Sequence, residues 1–283
     1  MDNQIYLSIV IPAYNEIDRL PLYLERVCDY LMVEFPDRHE VIVVDDGSQD
    51  MTALSVIKIS ESHHSIKLIR HARNLGKGAA VRSGVLASRG DLILFTDADG
   101  ATPIEDEARL REAISEGADI AVGSRLVGES RINRSRLRQL GGRVFSNLTR
   151  FFLRVHIHDT QCGFKMFRRE AGLRLFSLCE TNGFIFDVCI IRLAEELRYR
   201  VDEVSVDYRD VAGSRLRLWK DPIIMIAELV QVDRRVRYTL DKQDITKGSQ
   251  EIIPISQNRS LDPFDRLPIL NESISDQPLD QSR

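Results

Sequence analysis

The chain has 283 residues, of which 43% are hydrophobic, so it can bury a substantial core and is expected to form one elaborated domain. Its 39 Lys and Arg and 43 Asp and Glu give a formal net charge of −4, which argues against a nucleic-acid partner. There is no run of about 18 or more apolar residues, and the first four residues lack the basic start of a signal peptide. We therefore expect a chain that does not span a membrane.

Charge and cysteine placement add two expectations. Residues 125–158 contain eight Arg and one acidic residue, Glu129. Such a segment is either a solvated face or a contact surface for an anionic partner, and the sequence leaves both open. The cysteines have no metal-ligand spacing, so we expect reduced thiols in a cytosolic protein; they are Cys28, Cys162, Cys179 and Cys189.

In the first half of the chain, strand and helix patterns alternate. The predicted order is strand 6–11, helix 18–34, strand 40–44, helix 52–61, strand 66–69, helix 77–88, strand 91–96, helix 104–116 and strand 119–122. This alternation predicts an α/β fold with a mostly parallel central sheet and helices on both faces. In such folds ligands bind beyond the carboxyl ends of the strands.

The second half has a different pattern. It predicts a helix over 137–155, a polar turn at 159–165 followed by a strand and a helix from about 170, a helix over 185–197, a strand over 200–208 and a helix over 221–238. The last helix carries an apolar face and three closing arginines, so it either lies on an anionic membrane surface or packs on the domain. From residue 241 onward the composition predicts disorder.

The strongest chemical signal lies at the end of the fourth strand. Asp97 and Asp99 follow a short apolar run, and Gly100 permits a sharp turn after them. Because residues two apart in extended backbone point to the same side, the two carboxylates can converge. A divalent cation is the usual partner of such a pair. The alternative is a loop that caps the helix near Pro103.

Polar residues also follow the other predicted strands. Asp45 can accept a hydrogen bond from a base imino group, and Tyr14 and Glu16 can line a base or ribose pocket. Taken singly, however, each of these residue types is more often a turn or capping residue. Residues 74–78 look like a phosphate loop without P-loop spacing. Arg125 can pair with a diphosphate through its planar guanidinium. The chain has no Ser/His/Asp, Cys/His or dinucleotide glycine pattern, which leaves hydrolase and dehydrogenase functions without support.

In combination, these motifs resemble the family 2 inverting glycosyltransferases, which have a Rossmann-like nucleotide-sugar domain of the GT-A type. The resemblance covers roughly residues 5–220 and rests on residues 8–16, 43–48, 73–80, 96–102 and 123–125. Within the family, residues 159–165, 186–187 and 211–217 resemble the dolichyl-phosphate β-glucosyltransferase group, with polyprenyl-phosphate mannosyltransferases as near relatives. The eukaryotic members carry an amino-terminal membrane anchor for which we expect no counterpart here.

The resemblance implies a role for each strand-end motif. The nucleoside pocket is expected to contain Pro12, Tyr14, Glu16 and Asp45. Asp97 would lie on the ribose or metal side of the Asp-x-Asp motif, and Asp99 would be the main ligand of Mg²⁺ or Mn²⁺. Lys77 and Arg125 would meet the diphosphate.

For the acceptor, the resemblance implies a phosphate held by Arg134 or Arg138, together with Lys165. The metal would act as a Lewis acid on the leaving diphosphate while the acceptor attacks the opposite face of the sugar, inverting α to β. A phosphate monoester, with its second pKa near ~6, is largely ionised at neutral pH and needs no strong base. Asp187 is therefore a candidate for orienting the acceptor.

The expected function is transfer of glucose from UDP-glucose to a polyprenyl phosphate, by a cytoplasmic protein that contacts the membrane peripherally. We expect a catalytic domain over 1–218, an amphipathic helix over 219–240 and a disordered tail over 241–283. Alternatives are a GDP-mannose transferase, a transferase for a protein or polysaccharide, and a nucleotide-sugar sensor without turnover. A receiver domain also pairs acidic residues at a strand end, but it is shorter and leaves the Arg-rich segment unexplained.

Overall fold

Seven strands form the central sheet of the protein, whose computed structural model describes residues 4–127, 132–133, 149–151, 153, 155–209 and 229–242. With two further strands that lie outside this sheet, the described strands are β1 Leu7–Ala13, β2 His39–Asp45, β3 Ile66–Arg70, β4 Leu92–Thr96, β5 Ile120–Ser124, β6 Ile132–Asn133, β7 Phe164–Arg168, β8 Val201–Ser205 and β9 Tyr208–Arg209. The sheet order is β3-β2-β1-β4-β7-β5-β8, and β6 pairs separately with β9. All described residues belong to one compact unit.

The helices cover both faces of the sheet. They are α1 Leu20–Glu34, α2 Thr52–Ser60, α3 Lys77–Ala87, α4 Glu107–Ser115 after a 3-10 turn at Ile104–Asp106, α5 Arg169–Leu178 and α6 Phe186–Glu196. Because side chains alternate along a strand, Ile9 and Ile11 of β1 pack in one core layer and Val10 packs in the other. The expected α/β fold with a mostly parallel sheet is confirmed. The predicted elements of the first half agree with these bounds to within about two residues.

One strand runs against the others and sets the geometry of the site. β7 is antiparallel to both β4 and β5, while the other pairs in the central sheet are parallel. Its first residue, Phe164, therefore lies opposite Thr96, the last residue of β4. As a result, the turn before β7 lies beside Asp97, whose backbone N–H donates to the Gly163 carbonyl at 3.0 Å.

Residues 229–242 are helical and pack their apolar side on the domain. Leu229, Val232 and Val236 are buried in the same core layer as Phe95 and Phe186. Of the two arrangements that the sequence allows for this helix, the described part adopts the packed one. Most of the predicted helix over 137–155, and residues 221–228, lie outside the described residues. No helix within the described ranges is long and apolar enough to cross a membrane.

Candidate active site

A cavity of about 390 Å³ opens where β1, β2 and β4 end. Its volume lies in the range of small-molecule sites. It is lined by Pro12, Ala13, Tyr14, Glu16, Arg19, Asp46, Asn74, Gly76, Lys77, Ala80, Asp97, Ala98, Asp99 and Phe184. Six of these residues, which are Pro12, Tyr14, Glu16, Lys77, Asp97 and Asp99, were predicted from the sequence, and the fold brings them together.

The turn after β4 presents both carboxylates of the Asp-x-Asp motif to this cavity. Gly100 has φ +63°, and a Cβ there would lie 2.7 Å from the ring of Tyr23, so both backbone and space require glycine. Tyr23 belongs to α1 and its hydroxyl hydrogen-bonds the Thr96 hydroxyl at 2.8 Å. Asp99 Oδ1 accepts the backbone N–H of Ala101 at 3.0 Å. Helix α1 thus supports the turn through Tyr23, which packs against Gly100 and hydrogen-bonds Thr96.

Each of the two carboxylates has a cation beside it. Lys77 Nζ lies 2.7 Å from Asp97 Oδ1, and Arg19 Nη1 lies 3.9 Å from Asp99 Oδ2. Burial opposes the charge of Lys77, but Asp97 and other nearby carboxylates outweigh it and raise the pKa of that ammonium. Burial, and then the Asp97 charge, raise the pKa of Asp99 above its ordinary value. Burial and the nearby Asp97 charge therefore make Asp99 costly to ionise, and a bound cation would offset that cost.

Arg19 was not among the residues predicted from the sequence. Its Nε donates to Glu16 at 2.7 Å, and its Nη2 also contacts that carboxylate. The Nη1 atom is buried and makes no hydrogen bond to any described residue. The only signal in the sequence is its place just after the motif that ends in Glu16.

Asp46 is the second residue that the sequence reading missed. Its carboxylate accepts the backbone N–H groups of Leu75 at 2.9 Å and Gly76 at 2.8 Å, and the His71 Nδ1 proton at 2.7 Å. It therefore fixes the loop that carries Lys77 into α3. The first turn of α3 has a contact of its own, because the Gly78 N–H donates to the Asn182 carbonyl at 2.7 Å.

Asp45, predicted to read a base, has other partners in the structure. Its side chain is fully buried, and its carboxylate accepts the Ser48 N–H at 3.0 Å and the Arg70 Nε proton at 3.1 Å. Neighbouring residues at the end of a strand point to opposite sides, so Asp46 faces the cavity and Asp45 faces inward. A contact between Asp45 and a base stays a prediction.

Arg125, predicted to meet the diphosphate, forms a two-pronged ion pair with Asp159. The Nε and Nη2 groups donate to the Asp159 carboxylate at 2.6 and 2.7 Å, and the guanidinium lies 5.2 Å from the Tyr208 ring. Burial opposes the ionisation of Asp159, but Arg125 outweighs it and lowers the pKa of that carboxyl. This pair joins the end of β5 to the turn before β7. Arg125 does not line the cavity, and its contact with a diphosphate stays a prediction.

Lys165 and Asp187 pair with each other inside the domain. Lys165 Nζ donates to Asp187 Oδ1 and to the Cys162 carbonyl, each at 2.5 Å, and both side chains are almost fully buried. Burial raises the pKa of Asp187, although Lys165 and Lys77 act in the opposite direction. Neither residue lines the cavity. The predicted acceptor-phosphate ligands Arg134 and Arg138 lie outside the described residues.

The cysteines behave as core residues. All four are buried, free thiols, and burial raises the pKa of Cys162 to about 12. The described residues contain no group of three or more His, Cys, Asp or Glu side chains that could hold a metal ion. Asp97 and Asp99 stay the predicted ligands of a cation, and as a pair they would need further ligands from the substrate or water. Two carboxylates with substrate oxygens match the preference of Mg²⁺ and Mn²⁺.

The chain matches a known protein family. The model of Glycosyl transferase family 2 matches residues 8–176. A dolichyl-phosphate beta-glucosyltransferase from Saccharomyces cerevisiae is 38% identical in an alignment of 258 positions that covers 84% of this chain and 77% of the yeast protein. A mouse protein of the same name is 41% identical in an alignment of 226 positions that covers 74% of this chain and 69% of the mouse protein.

Solved structures share the fold at low identity. Glucosyl-3-phosphoglycerate synthase from Mycobacterium tuberculosis, in complex with UDP, is 20% identical with a TM-score of 0.60, over 82% of this chain and 80% of that one. Mannosyl-3-phosphoglycerate synthase from Rubrobacter xylanophilus is 19% identical with a TM-score of 0.55, over 90% and 79%. From the family match, the relatives and the shared fold, this chain belongs to the family 2 glycosyltransferases.

Proposed function

We propose that the protein transfers glucose from UDP-glucose to a polyprenyl phosphate of the dolichyl type, with inversion at the anomeric carbon. The observation that carries this proposal is the identity of 38–41% with proteins named dolichyl-phosphate beta-glucosyltransferase over most of the chain. The resemblance rests partly on the motif Asp159 to Lys165. This motif contains Gly163, whose carbonyl accepts the Asp97 N–H.

The donor's nucleoside diphosphate is assigned to the 390 Å³ cavity. Tyr14 and Pro12 supply an aromatic and a rigid wall for the base, and Glu16 is a hydrogen-bond acceptor for ribose hydroxyls. Lys77 and Arg19 are the two cations of the cavity, and each lies beside one carboxylate of the Asp-x-Asp motif. We assign the diphosphate to these two cations.

Asp97 and Asp99 are proposed to hold Mg²⁺ or Mn²⁺. When bound, the cation supplies Lewis-acid stabilisation of the diphosphate as it leaves. The two carboxylates would hold this cation at the edge of β4, and the Lys77 ammonium would neutralise charge on the diphosphate.

In the transfer step, an oxygen of the acceptor phosphate forms a bond to the anomeric carbon while the bond from that carbon to the UDP oxygen breaks. UDP leaves with the electron pair, and the product is a β-linked glucosyl phosphate ester. The acceptor phosphate is largely ionised at neutral pH, so the residues need to orient it rather than deprotonate it. Arg134 or Arg138 is proposed for that contact.

A matrix of labelled donors and acceptors tests the proposal. UDP-glucose, UDP-N-acetylglucosamine and GDP-mannose are each incubated with a polyprenyl phosphate, with a soluble glucan and with protein acceptor, and the lipid product is extracted into organic solvent. We expect label in the organic phase with UDP-glucose and polyprenyl phosphate. Label from GDP-mannose would make the protein a mannosyltransferase, and label only in glucan or protein would overturn the lipid acceptor. Donor binding without any product would indicate a sensor.

A further inference from the structure

The Lys165–Asp187 ion pair lies next to the cavity without lining it. Lys165 Nζ is 5.9 Å from the centre of the Phe95 ring, and Lys77 Nζ is 5.2 Å from the same ring. A buried ion pair contributes little net stability, since the desolvation of both charges offsets their attraction. Its presence beside a charged cavity therefore calls for another explanation.

The lysine end of the pair holds the turn before β7. Lys165 Nζ donates to the Cys162 carbonyl at 2.5 Å, and the next residue, Gly163, accepts the Asp97 N–H at 3.0 Å. A Cβ on Gly163 would lie 2.6 Å from Asp97 Oδ1 and closer still to Oδ2. The turn therefore packs directly against the Asp97 carboxylate and restricts where that carboxylate can lie.

The aspartate end acts on Lys77. Asp187 lies in the first turn of α6, directly after Phe186, whose ring centre is 6.0 Å from Lys77 Nζ. The start of α3 packs closely on the same residue, because a Cβ at Gly78 would lie 2.7 Å from the Phe186 Cβ. The pair thus reaches both members of the Lys77–Asp97 contact, one through the turn before β7 and the other through the packing of Phe186 against the start of α3.

Its burial also bears on what Asp187 can do. The residue is 3% exposed, and its Oδ1 accepts the Lys165 ammonium. A group that takes a proton from the acceptor must come within hydrogen-bond reach of it, and a buried, paired carboxylate is poorly placed for that.

We propose that Lys165 and Asp187 are positioning residues, and that their ion pair holds Asp97 and Lys77 in the arrangement that receives a nucleoside diphosphate with its cation. The inference rests on the proposed function for the identity of the ligand. It predicts that loss of the pair lowers the affinity for the diphosphate and leaves the KM for the acceptor unchanged.

The test compares wild-type protein with Lys165→Met, Asp187→Asn and the double variant. UDP affinity is measured by isothermal titration with Mn²⁺, and kcat is measured across pH together with the KM for polyprenyl phosphate. Partners that orient metal ligands typically account for 10- to 100-fold in affinity, so we expect each single variant to weaken UDP binding by about that factor. The double variant should bind UDP no more weakly than the single variant with the lower UDP affinity, since both residues act through one pair. The shape of the pH profile and the acceptor KM should not change.

Lys67→Met is the matched control. It also removes an ion pair with a buried carboxylate, Glu40, but that pair lies at the amino ends of the strands. This variant should bind UDP like the wild type. Thermal unfolding monitors the fold, and the double variant leaves no unpaired buried charge, which favours its folding.

Three results would overturn the inference. The first is Asp187→Asn protein that binds UDP normally but loses the acidic limb of its kcat profile, which would make Asp187 a general base. The second is losses that add in the double variant, and the third is a folded double variant with wild-type affinity. GDP is titrated in parallel: if the wild type prefers GDP, the proposed donor is wrong, and the same variants are compared on GDP.

Discussion

At the scale of single residues, the cavity depends on charges that the fold forces together. Asp97 and Asp99 lie two residues apart at a strand end, and the pKa of Asp99 is raised by burial and then by Asp97. Lys77 and Arg19 compensate part of this charge. The arrangement is stable enough to fold but leaves two carboxylates that favour a divalent cation.

The first prediction concerns Asp99. We expect Asp99→Asn to reduce turnover by about a hundredfold or more, because a preorganised electrostatic partner of the leaving group is lost. Initial rates of glucose transfer measure this, with thermal unfolding to verify that the fold is kept. A variant that transfers sugar at the normal rate, or wild-type protein that stays active in excess chelator, would remove the metal from the proposal.

The second prediction compares two glycines of which only one is crowded. A Cβ at Gly163 would collide with the Asp97 carboxylate, whereas a Cβ at Gly183 would meet nothing within 4 Å. Neither residue has a positive φ, so alanine is acceptable to the backbone at both positions. We expect Gly163→Ala to lower the Mn²⁺-dependent rate by about tenfold or more, as for other displaced metal ligands.

Gly183→Ala is the control for that comparison and should keep the wild-type rate. Equal rates for the two variants would mean that the turn before β7 does not determine the position of Asp97. Circular dichroism of both proteins separates a local effect from a loss of fold.

The fold brings Asp97, Asp99 and Lys77 to one cavity. Asp97 and Asp99 were predicted from their two-residue spacing at a strand end, whereas Lys77 was predicted from the family resemblance. Asp45 was expected in the nucleoside pocket and Asp46 was not, because the last residue of β2 cannot be told from the first residue of the loop without the structure. Arg19 lies outside every motif identified in the sequence, so it was not predicted.

At the scale of elements, a buried carboxylate joins three strands and a loop at the amino ends of the sheet. Glu40 of β2 accepts the Ser8 hydroxyl of β1 at 2.8 Å, the Lys67 ammonium of β3 at 2.6 Å and the Arg89 N–H at 2.7 Å. Burial opposes the ionisation of Glu40, but these donors outweigh it and lower the pKa of this carboxyl below its ordinary value of 4.5.

The third prediction follows from that shift. Because the pKa of Glu40 is lower in the folded state, its contribution to stability is full above about pH 4.5 and is lost as the pH falls through the folded-state value. We expect Glu40→Gln to lower the free energy of unfolding by about 1–3 kcal/mol at pH 7. The difference from wild type should narrow as the pH falls below 4.5.

Urea denaturation at several pH values measures this difference. Glu105→Gln is the control, since Glu105 pairs with Arg26 at the surface, where both side chains are about half exposed. An exposed pair is expected to contribute about 0–1 kcal/mol. A deficit for Glu40→Gln that stays constant with pH would contradict the assignment.

The order of elements was largely predictable, but the pairing of β7 was not. Alternating strands and helices predict a parallel sheet for the first five strands, and the structure agrees apart from the insertion of β7 between β4 and β5. An antiparallel strand in this position depends on contacts between residues distant in the chain. The consequence is local: the resemblance implies that Lys165 binds the acceptor phosphate, while in the structure its ammonium donates to Asp187.

At the scale of the whole molecule, the described carboxy-terminal helix is part of the domain. Leu229, Val232 and Val236 are buried, while Tyr238 remains exposed. The apolar spacing predicted this helix, but spacing alone could not choose between a membrane surface and the domain, because the same apolar face serves both. The packed arrangement leaves membrane contact of the protein as a proposal that rests on the lipid acceptor.

The central claim is inverting transfer of glucose to a lipid phosphate, and the configuration of the product tests it most directly. Purified protein is incubated with UDP-glucose, Mn²⁺ and a polyprenyl phosphate, and the extracted lipid is analysed by proton NMR at the anomeric position. We expect a β-linked glucosyl phosphate that is absent when chelator is added or when Asp99→Asn protein replaces the wild type. An α-linked product, or a β-linked product formed at the same rate by the variant, would contradict it.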